Sequence, residues 1–173
     1  MTAADKAARL RLMAFDVDGV LTDGTLYFSS AGDEMKGFSS RDGHGLKMLA
    51  ASGTTLAIIT GRRSEAVEKR AANLGIGHLF QGIGDKRTVM LDLVSRLGLD
   101  PAEAGYMGDD VVDLPVLRAC GFAATVPDGH ALVMRHADYV ARAPAGAGAV
   151  REVCEFILAA QGRLDAALAP WLG

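Results

Sequence analysis

The fold is decided by Phe15-Asp16-Val17-Asp18-Gly19-Val20-Leu21-Thr22-Asp23-Gly24, where an apolar run stops abruptly in three carboxylates and two glycines. The apolar residues from Leu10 to Phe15 are typical of a buried parallel strand. Asp16 and Asp18 therefore follow the carboxyl end of that strand, where open α/β sheets bind their ligands. Alternation along an extended chain points both side chains the same way. Because like charges repel, the pattern indicates a cation at this point or a proton on one carboxylate.

Outward from this stretch, short apolar strands alternate with segments of helical periodicity. Further strands are predicted at 54–59, 78–80, 104–107, 121–124 and 138–140, and helices at 45–51, 64–74, 85–97, 111–119, 128–136 and 150–160. Helices between successive strands indicate βαβ units with right-handed crossovers. The predicted fold class is α/β, a three-layer Rossmann-like sandwich around a mainly parallel sheet. A chain of 173 residues is long enough for one well-buried domain and short for two, so we expect a single domain over 1–173.

Two segments stand outside this alternation. A β-hairpin is predicted over about 25–38, because short apolar segments flank the polar turn from Ser29 to Asp33. Asp42 is then expected to cap the helix that begins near Gly45. After the last helix, residues 162–173 are predicted to form a C-terminal tail that ends in Trp171-Leu172-Gly173.

Composition excludes several classes of protein. The net charge of −3 lacks the basic surface of a nucleic-acid-binding protein, and the apolar runs are too short to span a bilayer. The first eleven residues lack the apolar core of a secretory signal. Cys120 and Cys154 lie in apolar surroundings, which indicates buried thiols in a reducing compartment. We therefore expect a soluble cytoplasmic protein that binds neither nucleic acid nor membranes.

Polar side chains follow the strands of the predicted sheet. Thr60 and Gly61 follow the second strand, Lys86 begins the helix after the next, and Asp109 and Asp110 follow the strand after that. Parallel strands bring these ends to one edge, together with the first two aspartates. Carboxylate oxygens suit Mg²⁺, which keeps ligand positions for water and substrate phosphate. The ammonium and the helix N-termini would offset the charge of a bound phosphate.

Four motifs that follow one another along the chain resemble those of a known superfamily. Asp16-Val17-Asp18-Gly19-Val20-Leu21-Thr22, Ile59-Thr60-Gly61-Arg62, Lys86, and Gly108-Asp109-Asp110 with Asp113 resemble the motifs of the haloacid dehalogenase superfamily of phosphohydrolases. The resemblance implies that Asp16 attacks phosphorus to form an aspartyl phosphate. It also implies that Asp18 protonates the leaving oxygen and later accepts a proton from the attacking water.

The same resemblance assigns the remaining residues. Mg²⁺ would be held by Asp16, the backbone carbonyl of Asp18 and Asp109. Asp110 and Asp113 would lie in or near the shell around these ligands, although Asp113 is equally consistent with a helix cap. Thr60 and Lys86 would bind the phosphoryl oxygens.

Many members of this superfamily insert a cap domain between the first and second motifs or between the second and third. Here Asp23 to Thr60 holds only a hairpin and a helix, and Thr60 to Lys86 only a helix and a short strand. The predicted site is therefore capless and open. Either the substrate is macromolecular, or another subunit supplies the lid.

A narrower resemblance favours the second alternative. Arg41-Asp42-Gly43-His44-Gly45, Thr60-Gly61-Arg62 and the stretch from Gly148 to Cys154 resemble the family of 3-deoxy-D-manno-octulosonate 8-phosphate (KDO 8-phosphate) phosphatases of lipopolysaccharide precursor synthesis. That family implies a homotetramer in which hairpins build a central barrel and neighbouring subunits close each site, partly through the C-terminal tail. Arg41 or Arg62 would bind the carboxylate of the sugar acid.

Two other functions stay open at this point. Relatives that act on nonulosonate 9-phosphates carry Glu where Arg62 stands, so Arg62 favours KDO 8-phosphate. Signalling receiver modules also place an acidic cluster, Thr and Lys on a parallel sheet, which allows a phospho-Asp switch without catalysis. In those modules the acidic pair precedes the acceptor, whereas here the Asp16 and Asp18 pair opens the chain, and Asp18 supplies an acid that a long-lived phospho-Asp would not need.

Overall fold

Residues 1–172, the part of the chain that the computed structural model describes, contain eight strands. In chain order they are β1 (Leu12–Phe15), β2 (Tyr27–Phe28), β3 (Glu34–Met35), β4 (Thr55–Ile59), β5 (His78–Phe80), β6 (Ala104–Met107), β7 (Phe122–Thr125) and β8 (Tyr139–Val140). Six of them form one sheet in the order β5-β4-β1-β6-β7-β8, and every neighbouring pair is parallel. This confirms the predicted sheet and places β1 between β4 and β6.

Helices cover both faces of this sheet. They are α1 (Ala3–Ala7), α2 (Ser40–Ala51), α3 (Glu65–Leu74), α4 (Lys86–Arg96), α5 (Leu114–Leu117), α6 (Ala131–His136), α7 (Ala149–Ala160) and α8 (Leu164–Leu168), with short 3-10 turns at Pro101–Glu103, Val111–Asp113 and Ala169–Trp171. Met13 and Phe15 of β1 pack in one apolar cluster with residues of α1, α2, α3 and α7. Leu12 and Ala14 pack in a second cluster with residues of α4, α5 and α6. Successive side chains of β1 thus enter opposite layers, which gives the predicted three-layer sandwich.

The start of α2 differs from the prediction. Its N-cap is Ser39, whose side chain accepts a hydrogen bond from the Asp42 N–H at 3.3 Å, so the helix begins before Gly45. The Asp42 carboxylate instead accepts the backbone N–H of Gly148 at 3.3 Å and of Arg151 at 2.8 Å. The expected cap was wrong because the free N–H groups at the start of α7, distant in sequence, bind this carboxylate.

The predicted hairpin forms, and its strands are short. β2 and β3 pair antiparallel over two residues each, in a sheet separate from the central one. Its apolar side chains face outward: Phe28 is 58 % exposed and Met35 61 %. An exposed apolar surface of this kind is typical of a region that contacts another protein.

The C-terminal segment forms α8 and the 3-10 turn that follows it. Leu164 and Leu168 of α8 pack against the apolar cluster beside α2 and α7. The ring of Trp171 then contacts the ring of His44 in α2 edge-on, with centroids 5.3 Å apart. Gly173, the last residue of the predicted tail, lies outside the described residues. Across residues 1–172, the helices are all too short or too polar to cross a membrane.

Candidate functional site

The carboxyl ends of β1 and β4 open into a cavity of about 480 Å³. Six predicted residues line it: Asp16, Asp18, Thr60, Gly61, Arg62 and Lys86. Asp16 and Thr60 directly follow adjacent parallel strands, which is why residues far apart in sequence meet here. The loop after β5 and the turn before α5 add a wall that the sequence analysis missed, formed by Gly82, Ile83, Gly84 and Val112.

Three carboxylates form a cluster at this edge. One oxygen from each of Asp16, Asp109 and Asp113 lies within 4.8 Å of the other two. Burial, followed by the charge of Asp113, raises the pKa of Asp16 to about 6. Burial and the charges of Asp16 and Asp113 raise the pKa of Asp109 to about 7. Three converging carboxylates are a donor set that fits a divalent cation with oxygen ligands.

Lys86 lies inside this cluster, and its side chain is only 6 % exposed. Its Nζ donates to Asp16 Oδ2 at 2.7 Å and to Asp113 Oδ1 at 2.6 Å. Burial alone would lower the pKa of Lys86, but the two carboxylates outweigh it and raise that pKa above its ordinary value. The residue therefore provides a fixed positive charge beside Asp16.

Asp113 organises the turn after β6. Its side chain is fully buried and accepts the backbone N–H of Asp109 at 3.1 Å and of Asp110 at 3.3 Å. The hydroxyl of Tyr106, which no motif predicted, donates to the Ile59 carbonyl at 3.0 Å and lies 3.3 Å from Asp113 Oδ1. Asp113 is thus both a cap of this turn and a member of the acidic cluster. The Asp110 carboxylate is exposed and accepts the Val111 N–H at 2.7 Å, outside the three-carboxylate cluster.

Two glycines of the motifs are required by these carboxylates. A Cβ at Gly19, where φ is +85°, would overlap the Asp109 carboxylate. A Cβ at Gly108 would come within 2.6 Å of Asp113 Oδ2. Both glycines therefore allow close approach of backbone to a carboxylate, which is a common reason for glycine beside a binding site.

The hairpin contributes two charged residues to the site. Lys36 forms an ion pair with Asp18 and lies 3.0 Å from Glu34 Oε1. Arg62 Nη2 donates to Glu34 Oε2 at 2.6 Å, and Arg62 Nε lies 3.9 Å from Asp18 Oδ2. The two cations lower the pKa of Glu34 to about 2. No motif predicted Lys36 and Glu34; the signal that the sequence offers for them is a pair of opposite charges two residues apart, on one side of the hairpin.

Thr60 and Arg41 lie in different surroundings. Thr60 is buried, and its backbone accepts the Ile83 N–H at 3.1 Å and donates to the Phe80 carbonyl at 2.9 Å, which joins it to β5 and the loop after it. Arg41 is exposed and donates to the Ala147 carbonyl at 3.1 Å. It is not among the described residues that line the cavity, so a role for Arg41 within its own chain stays a prediction.

Known proteins resemble this chain in sequence and in fold. No family model matches the chain. The chain is 47% identical over 162 residues to 3-deoxy-D-manno-octulosonate 8-phosphate phosphatase KdsC of Escherichia coli (strain K12), covering 94% of this chain and 86% of the relative. It is 46% identical to the enzyme of the same name from Yersinia pestis, with 94% and 87% covered.

Solved structures agree with these relatives. The 3-deoxy-D-manno-octulosonate 8-phosphate phosphatase of Moraxella catarrhalis, in complex with magnesium ion, phosphate ion and KDO, superposes with a TM-score of 0.96 at 45% identity, covering 98% of this chain and 97% of that one. A putative HAD superfamily (subfamily III A) hydrolase from Legionella pneumophila gives 0.94 at 39% identity, with 98% and 93% covered. With these matches over nearly its whole length, the chain belongs to the 3-deoxy-D-manno-octulosonate 8-phosphate phosphatase family of the haloacid dehalogenase superfamily.

Proposed function

We propose that this protein hydrolyses KDO 8-phosphate to KDO and inorganic phosphate in an Mg²⁺-dependent reaction. The observation that carries the proposal is that Asp16, Asp18 and Lys86 line one cavity, where Asp16 also belongs to the three-carboxylate cluster. Relatives about 47% identical to this chain are named KDO 8-phosphate phosphatases, and the Moraxella catarrhalis relative binds magnesium, phosphate and KDO.

Asp16 and Asp18 have separate partners, which supports separate roles. Asp16, held by Lys86, is the proposed nucleophile: a carboxylate oxygen bonds to phosphorus while the bond from phosphorus to the sugar oxygen breaks. Asp18 gives its proton to the departing sugar oxygen and then takes one from the water that cleaves the aspartyl phosphate. Thr60, the Gly61 backbone and Lys86 are proposed to bind the phosphoryl oxygens.

Mg²⁺ fits the acidic cluster. We propose that Asp16, Asp109 and the backbone carbonyl of Asp18 hold it, with Asp113 and Asp110 beside these ligands. When bound, the ion supplies positive charge that offsets repulsion between the carboxylates and the phosphate. Asp113 keeps the Asp109 backbone and Lys86 in place for this purpose.

Release of inorganic phosphate by the purified protein with Mg²⁺ tests this function. KDO 8-phosphate is compared with a nonulosonate 9-phosphate and with common hexose phosphates at equal concentrations. We expect multiple turnovers and the highest kcat/KM for KDO 8-phosphate. Preference for the nonulosonate would contradict the substrate, and a single turnover without release would favour the receiver-like switch.

Arg62 is proposed to bind the substrate carboxylate, because its guanidinium lines the cavity and already pairs with a carboxylate, that of Glu34. Replacing Arg62 by Ala is expected to raise KM for KDO 8-phosphate about 10- to 100-fold, since a charge-assisted pair is lost. KM for p-nitrophenyl phosphate, which has no carboxylate, is expected to change little. Arg41→Ala is the matched comparison, and a larger effect of Arg41→Ala on KM would transfer the role to that residue.

A homotetramer is proposed in which neighbouring subunits close the open site. The exposed apolar side chains of the hairpin, Tyr27, Phe28 and Met35, support an interface at that surface. The wild-type protein is expected to sediment as a tetramer, and Phe28→Ser combined with Met35→Ser to shift it toward smaller species. Val140→Ser, on the edge strand β8 and outside both the hairpin and the tail, is the control for loss of an exposed apolar side chain. A wild-type monomer at micromolar concentration would contradict the assembly and favour a macromolecular substrate.

The proposal extends to the role of the C-terminal tail and to the cellular compartment. We propose that the C-terminal segment helps to close the active site of a neighbouring subunit. Trp171 lies at the surface beside α2, where a neighbouring subunit can contact it. The chain is proposed to act as one domain in the cytoplasm, which the two unpaired cysteines, Cys120 and Cys154, support.

A further inference from the structure

The hairpin carries an ammonium group that is almost completely buried. The Lys36 side chain is 1 % exposed, and its Nζ pairs with the carboxylates of Asp18 and Glu34. A buried charge is tolerated only when it is paired, so the two carboxylates and this ammonium hold one another in place. A residue of the hairpin is thereby bonded to the active-site loop after β1.

These residues form a closed ring of four charges. Asp18 pairs with Lys36, Lys36 with Glu34, Glu34 with Arg62, and Arg62 approaches Asp18 at 3.9 Å. Signs alternate around the ring, so each carboxylate meets two cations. Alternation of this kind fixes side-chain positions more firmly than a single exposed ion pair does.

Lys36 contacts Asp18 from outside the cavity. Asp18 and Arg62 line the cavity, and Lys36 and Glu34 are not among its lining residues in the described part of the chain. The ammonium thus leaves the cavity side of Asp18 open to a substrate. Lys86 donates to Asp16 as Lys36 donates to Asp18, so each of the two aspartates is paired with one lysine.

We propose that Lys36 is a positioning residue: it binds Asp18 Oδ1 and so holds the carboxyl group with Oδ2, the oxygen that carries the proton in the acid step, where it meets the leaving oxygen. This inference rests on the proposed phosphatase function. A general acid must lie within hydrogen-bond reach of the atom that it protonates, and a carboxylate free to rotate spends less time there. The hairpin therefore has a second role, besides any role in assembly: it positions the general acid Asp18 in the active site of its own subunit.

Leaving-group dependence tests this role. Phenyl phosphate and p-nitrophenyl phosphate have nearly the same shape, but phenol is the poorer leaving group and needs protonation more. In Lys36→Met, kcat/KM for phenyl phosphate is expected to fall about 10- to 100-fold, and kcat/KM for p-nitrophenyl phosphate by less than about threefold. Lys36→Gln keeps a donor toward Asp18, so its ratio of kcat/KM for phenyl phosphate to kcat/KM for p-nitrophenyl phosphate should lie between those of Lys36→Met and wild type. If Lys36→Met does not fold, the ratio measured for Lys36→Gln tests the proposal.

Two further measurements separate positioning from general damage. In an Asp18→Asn background, Lys36→Met is expected to have little additional effect on the ratio of the two substrates, because both changes remove the same acid. Lys6→Met removes another lysine, bonded to Asp138 at 2.6 Å, and is expected to leave the ratio unchanged. Equal losses on both substrates in the Lys36 variants, or no loss, would overturn the proposal. Turnover of both substrates by wild type, absent in Asp16→Asn, tests the phosphatase function independently.

Discussion

Replacing Asp16 by Asn is expected to lower kcat by at least about 10⁴-fold, because the amide cannot attack phosphorus. The fold should persist. Asn is nearly isosteric, its carbonyl oxygen can still accept the Val17 N–H that Asp16 accepts at 2.7 Å, and Lys86 keeps its partner Asp113. Phosphate release from KDO 8-phosphate with Mg²⁺ measures the effect, and circular dichroism checks the fold.

The matched control for this change is Asp92→Asn. Asp92 is an exposed carboxylate on α4 that pairs with Arg96 one turn away, so the same chemical change there should leave kcat within about twofold. Acid-quenched enzyme should contain protein-bound phosphate in wild type and none in Asp16→Asn. Turnover by Asp16→Asn near the wild-type rate would assign the nucleophile to another residue.

Replacing Asp109 by Asn is expected to have opposite effects on activity and on stability. Activity should fall by about 10²-fold or more, because a proposed Mg²⁺ ligand is lost. The metal-free protein should become more stable at pH 8, by about 1–2 kcal/mol or a few degrees in melting temperature, since a partly exposed carboxylate no longer ionises beside Asp16 and Asp113.

The pH dependence follows from the direction of these pKa shifts. In the folded state the pKa of Asp109 is about 7 and that of Asp16 about 6, both above the value near 4 of an unfolded chain. Between pH 4 and 7 the folded protein thus binds more protons than the unfolded one, and its free energy of unfolding falls as pH rises. In EDTA, wild type should lose melting temperature from pH 5 to pH 8, and Asp109→Asn should lose less.

At pH 8, added Mg²⁺ should make wild type more stable than Asp109→Asn, the reverse of the order expected in EDTA. The ion is expected to raise the melting temperature of wild type, whereas Asp109→Asn should respond weakly because its cluster holds one charge fewer. Asp92→Asn should follow wild type in both solutions. An Asp109→Asn variant that is less stable than wild type in EDTA at pH 8 would show that the carboxylate serves the fold and not the ion.

Local patterns were sufficient for most of the fold. The apolar run before Asp16 and the β-branched run before Thr60 predicted two buried strands of a parallel sheet, and the spacing of apolar residues predicted the helices that cover them. The partner of the Asp42 carboxylate could not be found this way, because it is the start of α7, more than a hundred residues later. A carboxylate near a helix start has the same local signature whether it caps that helix or another one.

By itself, the sequence determined which chemical groups stand at the strand ends, since strand direction brings Asp16, Thr60 and Asp109 to one edge whatever the side chains around them. Only the tertiary structure decided their partners. Lys86 lies between Asp16 and Asp113, and Lys36 of the hairpin pairs with Asp18. The physical reason is that an ion pair depends on distance in space and on burial, which both follow from how the hairpin and α4 pack against the sheet edge. The stretch from Phe15 to Gly24 therefore specifies the acids, and the packed fold specifies which acid each lysine serves.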